Sequence, residues 1–295
     1  MVLLPRRSGR RRSGRVSKAR RERLTRACLY LVYLVITLFF LFPIFWVLST
    51  SLKSVQQLFA TPPVWFPLDP RFENYAYVFN NTPIVRYLFN SALLVLLTVV
   101  FTLLIAVLAA YGFSRYTFRY KKPSLMAVLV FQMISPVVIS IPLYRLFVEL
   151  DLLNNYVGLV VVYSAVVLPF TTWFLKGYFD TIPYEMDEAA IVDGASRWQV
   201  LLRILLPICA PGIATAAILA AVLSWSQFVV PFILLDDVDL YPVSVGLVNL
   251  QSNTDAITLH YLSAASMIAI APVVAVFVLL QRYIVNALTR GAIKG

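Results

Sequence analysis

Charge is what this chain has least of. Only 13% of its 295 residues are charged, whereas 60% are hydrophobic and the mean hydropathy is +0.81. A soluble domain carries about 25% charged and roughly 45–50% apolar residues. So few polar side chains cannot cover a water-soluble globule of this length, which excludes that class. Histidine occurs once, at His260, so histidine-based metal clusters and Ser-His-Asp chemistry lose most of their parts. Cysteine occurs twice, as Cys28 and Cys209. Both fall near helix ends on the side assigned below to the cytoplasm, where a disulfide is not expected.

What the chain has instead is long uninterrupted apolar sequence. Charge-free stretches cover 27–52, 87–114, 123–144, 152–175, 204–235 and 261–281. Each meets the requirement of about 20 residues for crossing a bilayer as a helix. The expected fold is therefore an all-α integral membrane protein with six transmembrane helices. The run at 27–49 is longer than the apolar core of a signal peptide, and no small-x-small cleavage site follows it, so it reads as a retained first span.

The charges that do occur are sorted by position. Residues 1–26 hold Arg6, Arg7, Arg10, Arg11, Arg12, Arg15, Lys18, Arg20, Arg21, Arg23 and Arg26 against a single acid, Glu22, and so account for most of the net charge of +11. This head is rich in Ser, Gly and Arg without apolar period, and composition predicts disorder. No aromatic residue is interleaved to stack on bases, so no nucleic-acid partner is expected. Beside a first span, such a tail reads as a cytoplasmic segment drawn to anionic membrane lipid. With the N-terminus inside, every Lys and Arg outside the spans falls on the cytoplasmic side except Lys53, Arg71, Arg86 and Arg145. The external segments carry Glu149, Asp151, Asp236, Asp237, Asp239 and Asp255. An even number of spans puts both termini in the cytoplasm.

The resulting organisation is a basic tail at 1–26, a first helix at 27–49, an external loop at 50–86, a five-helix core at 87–285 and a cytoplasmic tail at 286–295. The external loop is punctuated by Pro62, Pro63, Pro67 and Pro70 and carries Trp65, Phe66 and Tyr75. It fits both a place along the membrane interface and a cap touching an external partner. A second external segment, 236–260, is acidic and contains the apolar stretch Val243–Leu250.

Between the fourth and fifth spans lies a charged, helix-prone insert at 183–207. Glu185, Asp187 and Glu188 sit near its start, where carboxylates favour a helix N-terminus. Gly194 can take positive φ and end that helix. Ser196 with Gln199 three residues on forms a capping-box pattern for a second helix, on which Trp198, Leu201, Leu202 and Leu205 share a face. Pro207 marks the expected junction with the next span. The insert thus reads as a helix-turn-helix on the cytoplasmic side, with Arg197 and Arg203 outward and small Ala189 and Ala190 allowing close approach by a partner. A membrane-surface connector is the bland alternative, but such helices are usually basic rather than acidic at their start.

The spacing Glu188-Ala189-Ala190, three residues, Gly194, nine residues, Ile204-Leu205-Leu206-Pro207 resembles the cytoplasmic docking loop of binding-protein-dependent ABC permeases. Asn90-Ser91, the segment Ala110 to Arg115, Ile141 to Tyr144, Tyr178 to Pro183 and Gly291 to Gly295 are similar to the smaller permease subunit of carbohydrate importers, the maltose-permease type. The resemblance runs from about residue 27 to the end. It implies the importer-type (type I) ABC permease fold, with 183–207 as the coupling loop. Glu185, Glu188, Ala189, Ala190, Asp193, Gly194, Ala195, Arg197, Ile204, Leu206 and Pro207 would then meet a dimer of ATPase subunits. It implies further partners: a second homologous permease subunit, an external solute-binding protein, a sugar substrate and membrane lipids. This chain would bind no cofactor and would not be an enzyme, with ATP and Mg held by the ATPase. Where members often have Trp-Asn-Glu, this chain has Trp225-Ser226-Gln227, so a role built on that carboxylate does not carry over.

Polar residues within spans face protein or water rather than lipid. Gln132, Ser135, Thr171, Thr172, Trp225 and Gln227 are the candidate translocation path. For any one Ser or Thr, a bond to its own helix backbone is the simpler account. Permeases for glycerol phosphate or another polar solute share this shape. A self-contained secondary transporter would want carboxylates within its spans, and a membrane enzyme would want a nucleophile with a base; neither pattern is present.

Overall fold

The computed structural model describes residues 12–67, 69–253 and 259–292, with side chains described over 25–67, 69–251 and 259–281. Among the described residues every regular element is helical. In chain order these are α1 (Arg12–Ser51), α2 (Val55–Leu58), α3 (Glu73–Asn81), α4 (Ile84–Arg115), α5 (Lys121–Phe131), α6 (Pro136–Glu149), α7 (Tyr156–Phe179), α8 (Glu185–Val192) and α9 (Arg197–Gln199). A π-helical segment, Val200–Leu205, then leads into α10 (Leu206–Trp225), followed by α11 (Val229–Leu234), a 3-10 turn at Val238–Leu240, α12 (Val243–Asn253) and α13 (Leu259–Ala292).

Among the described residues, five helical stretches are long and apolar enough to cross a bilayer: Thr25–Ser51, Ile84–Arg115, Tyr156–Phe179, Arg197–Trp225 and Leu259–Gln281. The sixth expected span is broken. α5 and α6 meet at 87° across Gln132–Ser135. Pro136 is the cause: it restricts Ser135 to extended backbone, at ψ 134°, and the Ser135 hydroxyl then caps α6 by accepting the Val137 N–H at 3.3 Å. The fifth span differs as well. Read as 204–235, it begins at Arg197 and stops at Trp225, and α11 follows as a separate short helix.

The helix of α1 starts at Arg12, inside the segment whose composition predicts disorder. Propagating a helix from a formed apolar span needs no new nucleus, which offsets the poor composition. Residues 1–11 lie outside the described residues. None of the apolar window of α1 is buried within the chain, and its main helical neighbour is α13.

α4 and α7 form the centre of the bundle, with α10 packed on both. α1, α7, α10 and α13 each contain an internal proline, at Pro43, Pro169, Pro211 and Pro272, whereas α4 has none. Two ends can be told apart by charge. A basic end carries Arg115, Lys121, Lys176 and Arg197; an acidic end carries Asp236, Asp237 and Asp239. Near the acidic end, α12 buries Val243 and Leu250 against Val78, Ile84, Tyr87 and Ala264. The expected apolar stretch there is thus a packed helix.

Candidate coupling site

At the basic end the insert folds from strictly local signals. α8 opens with Glu185, Asp187 and Glu188 in its first turn, where carboxylates meet the positive end of the helix dipole. It ends in a Schellman arrangement. The Ala195 N–H donates to the Ala190 carbonyl at 2.9 Å, and the Gly194 N–H donates to that of Ile191 at 3.0 Å. That closure requires φ of +87° at Gly194, which only glycine adopts freely. The next helix starts on a full capping box: Ser196 Oγ accepts the Gln199 N–H at 3.3 Å, and Gln199 Oε1 accepts the Ser196 N–H at 2.7 Å.

Pro207 does not form a junction. The second helix runs through it into α10 as one span. A proline has no N–H and crowds the carbonyl four residues earlier, and here the ladder shifts by one residue, with the Leu206 N–H donating to the Leu201 carbonyl. The face expected to group Trp198, Leu201, Leu202 and Leu205 is divided. Leu201 and Leu205 are buried, with Val200, while Trp198 and Leu202 are exposed. One face of a regular helix would keep the four together; the buried stripe here follows Val200, Leu201, Leu205 and Cys209.

This stripe, with Ala190, seats the insert on Ala106 and Ala110 of α4 and on Leu175 and Phe179 of α7. A buried ion pair adds to the seat. Arg115, the last residue of α4, places its Nε 2.8 Å from Oδ2 of Asp187 in α8, and each side chain is only 5% exposed. Asp180 receives a hydrogen bond from Ser114 Oγ at 2.7 Å and pairs with Lys176. Arg197 lies over the Tyr116 ring, 5.1 Å from its centroid, at the rim of a pocket of about 250 Å³ lined by Leu108, Tyr111, Gly112, Trp198 and Leu201.

The opposite side of α8 is bare. Glu185, Glu188, Ala189, Ile191, Asp193 and Gly194 are exposed, and Val192 is 86% exposed. The structure therefore gathers Glu185, Glu188, Ala189, Asp193 and Gly194 on one exposed tip, with Ala195 half-buried beside it. It turns Ala190 inward. Ile204 and Leu206 are half-buried and Pro207 exposed, further along towards the span. Sequence reasoning missed Ile191 and Val192, whose apolar exposure is the unusual feature, and the Arg115–Asp187 pair beneath them. A small apolar tip ringed by carboxylates is suited to a concave, basic partner surface. Among the described residues, no three His, Cys, Asp or Glu side chains come together to hold a metal ion.

The acidic end is tied to α4 by another set of contacts. Asn90 Nδ2 donates to the carbonyls of Asp239 at 2.8 Å and Tyr241 at 3.0 Å. Ser91 Oγ accepts the Val243 N–H at 2.8 Å, and Arg86 pairs with Asp239. Asn154 Oδ1, from the turn before α7, accepts the N–H groups of Asp236 and Asp237.

The six residues read as a translocation path lie in three neighbouring pairs. Gln132 and Ser135 flank the α5–α6 break and are exposed. Thr171 and Thr172 are buried in α7, where Thr171 Oγ1 donates to its own helix at Val167, 3.0 Å away. Trp225 borders an apolar groove of about 620 Å³ between α4, α10 and α13, and the Gln227 carbonyl accepts the Ser244 hydroxyl at 2.7 Å. Among the described residues no hydrogen bond links one pair to another. Ser140, Ser263 and Ser266 likewise donate to their own helices, while the hydroxyls of Thr98, Thr102, Ser164 and Ser224 are buried with no partner.

Residues 102–290 match the family described as binding-protein-dependent transport system inner membrane component. The sulfoquinovosyl glycerol transport system permease SmoH of Agrobacterium fabrum is 35% identical over 255 residues, covering 86% of this chain and 89% of the relative. The arabinooligosaccharides transport system permease AraQ of Bacillus subtilis is 31% identical, covering 92% and 96%. The diacetylchitobiose uptake system permease DasC of Streptomyces coelicolor is 30% identical, covering 86% and 92%. In fold, the chain is similar to a subunit of a bacterial ABC transporter involved in import of the acidic polysaccharide alginate. The TM-score is 0.77 at 23% identity, over 90% of this chain and 98% of the other.

Proposed function

This chain belongs to the family of binding-protein-dependent transport system inner membrane components, and on that premise we propose that it forms half the pore of an ATP-driven carbohydrate importer. The relatives named for a sulfoquinovosyl glycerol, arabinooligosaccharides and diacetylchitobiose support a saccharide or glycoside as cargo. Their variety supports the class rather than any one member of it. The solved alginate importer in complex with an oligosaccharide-bound periplasmic protein supports delivery by an external binding protein.

In this reading the basic end faces the cytoplasm, as the distribution of Lys and Arg favours. The exposed tip of α8 enters a cleft on an ATPase dimer that holds ATP and Mg, and this chain hydrolyses nothing itself. A second permease subunit completes the pore; the apolar window of α1, none of it buried within the chain, supports a neighbour there. The observation that carries the proposal is the tip itself, Glu185 to Gly194. It is bare of intramolecular cover on one side and fastened by buried packing on the other.

The test is co-expression of the tagged chain with a candidate ATPase and a candidate second permease from the same genome. Glu188→Lys and Gly194→Pro are each expected to reduce ATPase recovered with the tag and to abolish uptake in proteoliposomes. Unchanged association and uptake in both variants would remove the docking role. A saccharide panel against the binding protein that stimulates the assembled importer identifies the cargo, and binding of none of them would overturn the carbohydrate assignment.

A further inference from the structure

We propose that α4 is a rigid rod that carries movement between the coupling element and the external acidic loop, with Arg115 and Asp187 as its lower joint and Asn90 and Ser91 as its upper one. The proposal rests on the importer reading and adds the positioning residues through which its two ends communicate.

Three observations support a rod. First, α4 is 32 residues long, about 48 Å at the rise of an α-helix. Among the described residues it is the one long span without an internal proline, so its hydrogen-bond ladder has no proline-made hinge. Second, the lower joint is a charge pair sealed from water, with both side chains 5% exposed. Separating α8 from α4 would strand two buried charges, so the two helices move together or at high cost. Third, the upper joint grips backbone. Asn90 holds two loop carbonyls, those of Asp239 and Tyr241, and Ser91 accepts the first N–H of α12. The loop's path, not merely one side chain, is therefore fixed to α4. α7 packs along α4, and Asn154 in the turn before it holds the same loop. α7 carries Pro169 and α10 carries Pro211 and begins from a π-helical segment, so the unbroken ladder is that of α4.

The consequence is two-way signalling. A binding protein pressing on loop 236–243 displaces α4, and Arg115 delivers that displacement to α8 and the ATPase. The signal in the other direction uses the same joints.

The experiment uses the complete importer in proteoliposomes. In a Cys28→Ser, Cys209→Ala background, Arg115→Cys and Asp187→Cys are introduced together, which removes both charges without leaving either unpaired. In the reduced protein the ATPase should remain in the complex and hydrolyse ATP at the basal rate. Stimulation by the liganded binding protein, and uptake, should fall about tenfold. Bridging the two cysteines with a short bis-thiosulfonate should restore both, and dithiothreitol should reverse the rescue in the same sample. Asn90→Ala should reproduce the loss of stimulation from the other end. Full stimulation in the reduced protein, or no recovery on bridging, overturns the rod. Loss of the ATPase from the reduced complex also overturns it, because the pair would then act by shaping the docking surface. Absence of binding-protein stimulation in the unmodified complex is a different result and strikes the importer reading itself.

Discussion

Gly246 lies so close to Tyr87 that a Cβ on it would come within 2.1 Å of the ring's Cδ2. The contact joins α12 to the first turns of α4, and Tyr87 OH accepts a hydrogen bond from Asn249 Nδ2 at 3.1 Å in the same place. Gly246→Ala must push a fully buried ring aside, and overpacking of this kind costs about 1–3 kcal/mol. Thermal unfolding of the detergent-solubilised chain should show the loss. A midpoint equal to that of the unaltered protein would mean that the ring yields freely.

Arg115 and Asp187 should behave as a unit in stability. Asp187→Asn leaves a buried guanidinium without its counter-charge, at a cost of about 3–5 kcal/mol. Arg115→Leu combined with Asp187→Leu removes both charges and should cost clearly less than the single change. Unfolding midpoints of the three variants measure this, and a double variant less stable than Asp187→Asn contradicts the pairing.

Ser196→Ala removes the hydroxyl that accepts the Gln199 N–H and should cost about 1 kcal/mol, the usual worth of an N-cap. Ser196→Asp keeps an acceptor there and should restore the midpoint. Equal melting of Ser196→Ala and the native chain would show that the box is not needed once the long helix has formed.

Lys53 gives a pH dependence. Its side chain is 3% exposed, with Nζ 4.5 Å from the centroid of the Trp46 ring. Burial lowers its pKa from the ordinary 10.5. Between the lowered value and 10.5 the unfolded chain holds the extra proton, so stability contributed here rises with pH through that alkaline window and is least below it. Lys53→Met should raise stability at neutral pH and flatten this part of the profile. An unchanged slope in the variant would place the titration elsewhere.

How far the sequence reveals the molecule depends on the range of each interaction. Runs without charge mark the spans because the bilayer tolerates few ions, and Ser196 with Gln199 marks a helix start because both partners lie within one turn. The break at Pro136 carried a local signal too, the Ser-Pro step, but counting charge-free residues does not detect it. Asp187 reads as one of three carboxylates at a helix start and Arg115 as the end of a familial segment, with nothing to pair them. Only the packing of α8 under the end of α4 brings them together across 72 positions. Asn90 and Ser91 were recognisable as part of a familial segment, yet their partners at 239–243 are set by the return of the chain after α11. The surprise at Ile191 and Val192 has a similar origin: an amphipathic pattern shows which residues are apolar, not which face is left uncovered.

The bend between α5 and α6 bears on how the protein is made. Its halves have 11 and 14 residues, and neither reaches across about 30 Å of hydrocarbon alone. α5 rests on α7, and Phe147 of α6 packs with Leu159, Val230 and Leu234. Those supports are synthesised later than the segment they hold. The ribosome therefore delivers 121–149 before its resting place exists. Its settling into the bilayer should wait until translation has passed residue 234, so the order of integration departs from the order of synthesis.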